Sequence, residues 1–264
     1  MIIDTTLFND EFDMLDIHLS ISENYVDHWI ILEANRTFSG KLKPYNLTNN
    51  LQKYKEKYGD RIEVVNLELN ETQTNLICET MMRQGLSSAL EKFDNEDIVI
   101  HGDLDEIIDP TKWNQIIALM DKNNCSVSCG FEMYFYKFDQ KAGRNWKGSV
   151  VARKRMFKTP HGLYKGSEEM GIKRKNRVNA VGTTDPVGWH WTWMGNDEII
   201  KNKVVSCIES QYRDPNQVLE AFKNKDTTIA VNHKSASEII KPVYPNVVLD
   251  VLKRYSFYWH NPLQ

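Results

Sequence analysis

A chain of 264 residues has room for one large α/β domain or two small ones, and the lack of a recognisable linker favours one. Its formal charge of −3 lacks the basic excess of a general nucleic-acid or membrane-surface binder, although residues 153–155 and 173–177 form local basic runs. No apolar stretch approaches the roughly 18 residues of a membrane span, and Met1 leads straight into Ile-Ile-Asp-Thr-Thr without a basic and apolar leader, so a soluble, cytoplasmic chain is expected.

Residues 2–7 read as a buried opening strand. Asn9, Asp10 and Glu11 then supply a cap and first-turn acids for a helix whose Phe12, Leu15 and Leu19 form a core stripe. A second apolar run, Trp29-Ile30-Ile31-Leu32, ends at Glu33, and strand, helix, strand is the start of a parallel sheet. The loop that follows carries Arg36, Lys41 and Lys43 with Gly40 and Pro44. In an open α/β sheet such a loop lies at the carboxyl edge, where ligands bind, so nucleotide contact and plain connection are both open readings. Thr48 is placed to cap a helix carrying Leu51, Tyr54 and Tyr58 and closed by Gly59. Residues 61–69 alternate as a strand, and residues 75–93 give a longer helix. Its Glu79 and Arg83 sit four apart, as an ion pair or with Arg83 turned toward a diphosphate.

Residues 98–101 repeat the pattern with a short β-branched strand, and Asp109-Pro110 caps a helix that carries Trp113, Ile116, Ile117 and Met120 on one face. The second half is richer in strands. Residues 125–138 read as one long strand or a strand pair, and residues 150–157 as an edge strand or hairpin guarded by charge. Asn196 caps a helix with Ile200, Val204, Cys207 and Ile208 at core spacing, and Asp214-Pro215 starts another through Phe222. Residues 229–231 form a short strand before His233, and a tail is expected from Lys241. Cys78, Cys125, Cys129 and Cys207 include no Cys-x-x-Cys zinc pair, so buried free thiols are expected. The organisation expected is a single domain over 1–264, with a nucleotide-binding half at 1–109, an acceptor-binding half at 110–240 and a tail at 241–264.

Two stretches carry chemistry. In His101-Gly102-Asp103-Leu104-Asp105-Glu106 the acids begin where the strand should end, and in an extended segment Asp103 and Asp105 project to one side. That is a hard-oxygen claw suited to Mg²⁺ or Mn²⁺, which take one or two carboxylates and fill the rest with water and phosphate oxygens. Asp109 is explained as a helix cap, whereas Glu106 has no assignment. In Gly188-Trp189-His190-Trp191-Thr192-Trp193, three tryptophans flank one histidine, and Trp189, Trp191 and Trp193 are candidates for a sugar platform, with core packing the competing reading. Asp197 and Glu198 follow in a helix's first turn, where acids are also favoured by the macrodipole.

With these residues in view the chain resembles glycosyltransferase family 17, the family of the bisecting β-1,4-N-acetylglucosaminyltransferases. The matching stretches are Phe8-Asn9-Asp10-Glu11, Val26-Asp27, Thr37-Phe38-Ser39-Gly40-Lys41-Leu42-Lys43-Pro44, Glu79 to Arg83, Asp97-Ile98-Val99-Ile100, Asp103-Leu104-Asp105-Glu106 and Gly188-Trp189-His190, in that order. The resemblance implies a GT-A type, Rossmann-like nucleotide-sugar-binding domain with a mixed, mostly parallel sheet flanked by helices. It implies an inverting transfer from a UDP-sugar, by default UDP-N-acetylglucosamine, to a glycan or glycolipid. Donor contacts are then expected at Glu33, Lys43, Arg83 and Asp103. A divalent ion, Mn²⁺ or Mg²⁺, on Asp103 and Asp105 would stabilise the leaving diphosphate, with His190 or else His233 completing its coordination. Inversion in one displacement needs a base, for which Glu198 and then Asp197 are nominated, with Glu132, Glu168 and Asp185 as alternatives. Two rivals remain at this point. A phosphoester hydrolase would want its paired aspartates after the first strand, and a carbohydrate-binding module would explain the tryptophans but not the acids.

Overall fold

A computed structural model describes residues 1–70, 75–156, 180–207, 213–226 and 237–261. The first half runs β1 (Ile2–Phe8), α1 (Phe12–Ser22), β2 (His28–Ala34), α2 (Asn46–Asn49), α3 (Leu51–Tyr58), β3 (Ile62–Leu67), α4 (Asn75–Ala89) and β4 (Ile98–His101). The second half runs β5 (Glu106–Ile108), α5 (Trp113–Asn123), β6 (Val127–Phe135), β7 (Gln140–Arg153), β8 (Val181–Gly182), β9 (Gly188–Thr192), α6 (Asp197–Ser206), α7 (Pro215–Lys223), β10 (Ser237–Ile239) and α8 (Asn246–Leu252).

The strands form one mixed sheet in the order β3-β2-β1-β4-β7-β6-β9-β5, with β10 beside β7 and β8 beside β6. Strands β1 to β4 are mutually parallel, and β1 pairs with β2 on one side and β4 on the other. The chain therefore reverses its direction of travel across the sheet at β1 and β4. That switch point opens the crevice in which ligands of such folds bind. Strand alternation sets the layers: Trp29 and Ile31 join α1, α3, α5 and α8 on one face, while Ile30 and Leu32 join α4 on the other. A third cluster packs α6 and α7 against Met133, Phe135 and Trp193. The architecture is a Rossmann-like, mixed α/β sheet flanked by helices, and among the described residues no helix is long and apolar enough to cross a membrane.

Local signals are met at Asp109, which accepts from Thr111 N–H at 2.8 Å, and at Asn196 and Asp214, which cap α6 and α7. Gly59 ends α3 at φ 60°, where a side chain would be strained. Other expectations are corrected. Thr48 lies inside α2 and bonds Glu33 and Asn66 instead of capping α3. Residues 150–153 are not an edge: they end the long strand β7, which lies between β4 and β6 with Val150, Val151 and Ala152 fully buried. Residues 241–261 are not a loose tail, because Tyr244, Val248, Leu252, Tyr258 and Trp259 are buried in the main core. All four cysteines are free, but only Cys78 and Cys129 are buried. The expected strand at 229–231 lies outside the described residues.

Candidate active site

Strand β4 stops at His101, so Asp103 and Asp105 do not alternate along a strand. Instead the Glu106 N–H donates to the Asp103 carbonyl at 3.0 Å and closes a four-residue turn. The two carboxylates consequently face different partners, which corrects the expected one-sided claw. Asp103 accepts from Arg83 Nη2 at 2.8 Å, and Arg83 also donates from Nε to Glu79 at 2.9 Å. The expected helix ion pair is therefore present, and the same guanidinium also reaches Asp103. Asp105 is buried, with Oδ2 3.2 Å from Lys203 Nζ and Oδ1 3.3 Å from His190 Nε2.

The electrostatics follow from burial and pairing. Burial alone would raise the Asp105 carboxyl, but Lys203 and then His190 outweigh it and hold the group well below the usual carboxylate range. Burial likewise lowers Lys203, yet Asp105 and Glu11 keep its ammonium protonated beyond the ordinary lysine range. Glu11 Oε1 lies 3.9 Å from Lys203 Nζ, so the first helix also faces this cluster.

The turn is fastened from below. His18 Nδ1–H donates to the Leu104 carbonyl at 2.8 Å, and its Nε2 lies 2.7 Å from Asp4 Oδ2 in a pair buried on both sides. Trp191 N–H donates to the Asp105 carbonyl at 2.9 Å. Glu106, unassigned by the sequence, is buried and accepts from Trp146 Nε1 at 2.6 Å, Ser149 Oγ at 2.9 Å and the Asp103 N–H at 3.3 Å. Sequence reasoning missed His18, Asp4, Lys203 and Glu106 as site residues. Only Glu106 carried a signal, through its adjacency to Asp105.

The strand β9 resolves the tryptophan–histidine pattern. Its period of two sends Trp189 and Trp191 to one face, where they stack on each other at 5.5 Å and 4° with Tyr244 edge-on to both, and sends His190 to the other. All three tryptophans are buried, Trp193 at the close of the strand included, so the expected sugar platform is core instead. His190 is also buried, with Trp146 tilted over it at 5.1 Å, and its Nδ1 has no hydrogen-bond partner among the described residues.

Two candidate metal ligands stand together here, not the expected three. Among the described residues no three His, Cys, Asp or Glu side chains converge on one point. His190 Nε2 and Asp105 Oδ1 at 3.3 Å are nonetheless an imidazole and a carboxylate side by side, and ions such as Mg²⁺ keep several positions for water and substrate phosphates. Asp103 is engaged by Arg83 and the second oxygen of Asp105 by Lys203, and the competing His233 lies outside the described residues.

The other expected contacts divide. Glu33 is fully buried and takes Leu47 N–H at 2.9 Å, Thr48 N–H at 3.0 Å and Lys43 Nζ at 3.3 Å, so it anchors the loop after β2 and offers no surface to a donor. Lys43 also donates to the Asn9 carbonyl at 3.2 Å, and burial lowers its pKa more than Glu33 restores it. Asp197 pairs with Lys223 at 2.8 Å, and Glu198 is exposed on the first turn of α6. Among the alternatives, Glu132 is held by Lys141 at 2.6 Å, Asp185 is exposed, and Glu168 lies outside the described residues.

A comparison with curated proteins finds no match. Among solved structures the chain is similar to galactosyltransferase LgtC in complex with donor and acceptor sugar analogues, at 11% identity over 68% of this chain and 66% of that one, TM-score 0.37. It is similar to UDP-glucose pyrophosphorylase complexed with UDP-glucose at 10% identity, over 67% and 86%, TM-score 0.37. It is also similar to 4-diphosphocytidyl-2C-methyl-D-erythritol synthase of Anaerococcus prevotii at 9% identity, over 69% and 86%, TM-score 0.41. The family model of glycosyltransferase family 17 matches residues 1–170, well over half of the 264, and with Asp103, Asp105 and Arg83 inside that span the chain belongs to glycosyltransferase family 17 and is a glycosyltransferase.

Proposed function

We propose that the enzyme moves a sugar, by default N-acetylglucosamine, from a UDP-sugar to a glycan or glycolipid hydroxyl with inversion, and that it does so with Mn²⁺ or Mg²⁺ in a cytoplasmic setting. The observation that carries this reading is the buried Asp105 held between Lys203 and His190 beside the β1–β4 switch point. In the reaction the acceptor oxygen bonds to the anomeric carbon, the bond from that carbon to the diphosphate oxygen breaks, and the electron pair leaves with UDP. Asp105 and His190 would hold the cation, which supplies Lewis-acid stabilisation of the departing diphosphate. Arg83 and Lys203 bring fixed positive charge to the same crevice, where a low dielectric strengthens it. The acceptor proton passes to a carboxylate, for which Glu198 remains first choice and Asp197 second. Lys223 occupies Asp197, whereas Glu198 is exposed.

Incubation with UDP-N-acetylglucosamine, UDP-glucose, UDP-galactose and UDP-xylose in Mn²⁺, read as UDP release, tests the proposal. Asp105→Ala should abolish metal-dependent release, and Glu198→Gln should keep donor binding but lose transfer. Release whose metal dependence survives Asp105→Ala unchanged would refute the site assignment, and near-normal transfer by Glu198→Gln would refute the base.

A further inference from the structure

The three tryptophans expected to meet a sugar are buried and offer it no aromatic surface. A cleft of about 270 Å³ opens between the first turn of α1, the first turn of α6 and residues 254–258. Asp13, Asn196, Ile199, Arg254, Tyr255 and Phe257 are among its walls. Phe257 is 56% exposed, unusual for so large an apolar ring, and Tyr255 is half-buried.

Two elements tie this cleft to the carboxylate cluster. On α6, Ile199 lines the cleft, and Lys203, four residues on and on the same helix face about 6 Å along the axis, holds Asp105. On α1, Asp13 lines the cleft, and Glu11 just before it faces Lys203. The walls are also fixed in place. Tyr258 Oη donates to Asp13 Oδ2 at 2.7 Å, Lys137 Nζ donates to the Phe257 carbonyl at 2.6 Å, and Asn196 accepts from Ile199 N–H at 2.9 Å.

The chemistry of the walls selects the ligand. One carboxylate, one guanidinium and one carboxamide give hydrogen-bond acceptors and donors without a net charge, which suits a neutral polyol and not a diphosphate. Lys137 Nζ covers one face of the Phe257 ring at 4.1 Å, and the remaining exposed surface of that ring, with Tyr255, suits the C–H face of a pyranose, since pockets of this kind fix orientation with few polar groups against an apolar wall. Resting on the glycosyltransferase reading above, we propose that this cleft is the acceptor subsite, seating one neutral pyranose of the acceptor glycan against Tyr255 and Phe257.

The test uses the whole chain with Mg²⁺ and UDP, and saturation-transfer NMR with methyl α-mannoside, methyl β-N-acetylglucosaminide and methyl β-galactoside as probes. At least one glycoside should bind. Phe257→Ala should weaken it roughly three- to tenfold, the loss of one ring contact. Arg254→Ala should weaken it several-fold, while Val243→Ala, at a 94% exposed position away from the cleft, should not. UDP release from UDP-sugars by the unaltered protein is measured in parallel. If it releases UDP yet binds no glycoside, or if both cleft variants bind as well as the parent, the subsite assignment is overturned. If it releases UDP from no donor, the transfer reading itself fails, whatever the glycosides do.

Discussion

Replacing His18 with Phe keeps an aromatic ring of similar size but removes both hydrogen bonds that hold the aspartate turn. The Asp4 carboxylate, 4% exposed, is left without its partner, and the Leu104 carbonyl loses its donor. Removing one member of a buried pair costs about 3–5 kcal/mol because the other charge stays desolvated. At about 2–4 °C per kcal/mol for a domain somewhat smaller than this one, the melting temperature should fall by roughly 6–20 °C. Apolar replacement of both members is often neutral, so His18→Phe combined with Asp4→Leu should recover most of that loss. The double variant still lacks the donor to Leu104, so its KM for a UDP-sugar should remain raised although its melting temperature has returned. Differential scanning calorimetry and UDP-release kinetics on the parent and the two variants check both halves. A single variant melting within about 2 °C of the parent would refute the idea that this pair carries the turn, since that shift corresponds to about 1 kcal/mol or less. A double variant with parental KM would show that the turn does not need His18.

The same histidine sets a pH dependence. Burial lowers its pKa, but Asp4, the Leu104 carbonyl and Asp105 together raise it above the ordinary value of 6.5. Its contribution to stability is therefore fully present below about pH 6.5 and is lost as pH rises through the raised folded value, so the melting temperature should decline as the pH climbs from about 6.5 and do so less in the double variant. Asp105 runs the other way: its depressed pKa means that its contribution survives until the pH falls well below the carboxylate range, which acid titration of the folded state by NMR would show. Gly188→Ala would place a Cβ 2.1 Å from the Ile107 carbonyl oxygen, a backbone atom that cannot step aside. Strands β5 and β9 must then separate, at a cost of about 1–3 kcal/mol or more and with loss of UDP release. Gly182→Ala, with nothing within 4 Å, should be silent in both assays. Trp191→Ala, at a fully buried ring stacked on Trp189, should cost about 3–5 kcal/mol of stability by urea unfolding.

Much of the fold was legible because its signals are local. The caps at Asp109, Asn196 and Asp214 act within three residues of themselves, and the apolar runs of β1, β2 and β4 need only their own side chains to be read. What stayed hidden depends on which strand lies beside which. The mixture of apolar and basic side chains over residues 150–157 is compatible with an edge, and only the placement of β7 between β4 and β6 shows that Val150 and Val151 need cover on both faces. The same holds for Trp189 and Trp191, whose burial is completed by Tyr244 from a segment that reads as a tail.

The site shows the limit most clearly. Asp103 and Asp105 announce themselves, but a carboxylate buried as deeply as Asp105 is tolerable only if compensating donors are buried with it, here a cation, and nothing local says where they will come from. Lys203 lies 98 residues away on a helix where it looks like any surface lysine, and His18, which fastens the Leu104 carbonyl, lies 86 residues in the other direction. A strand-end acid pair is therefore a statement that compensating donors exist somewhere in the chain. Finding them requires the sheet order, because it is the β1–β4 switch that brings α1 under the turn and the β9 strand that delivers α6 beside it. On this argument, moving a lysine one position along α6 should not preserve the site, since a shift of about 100° around the helix turns the ammonium away from Asp105: Lys203→Ala with Val204→Lys should lose the pairing, bury a charge where Val204 now packs, and unfold at lower denaturant than Lys203→Ala alone.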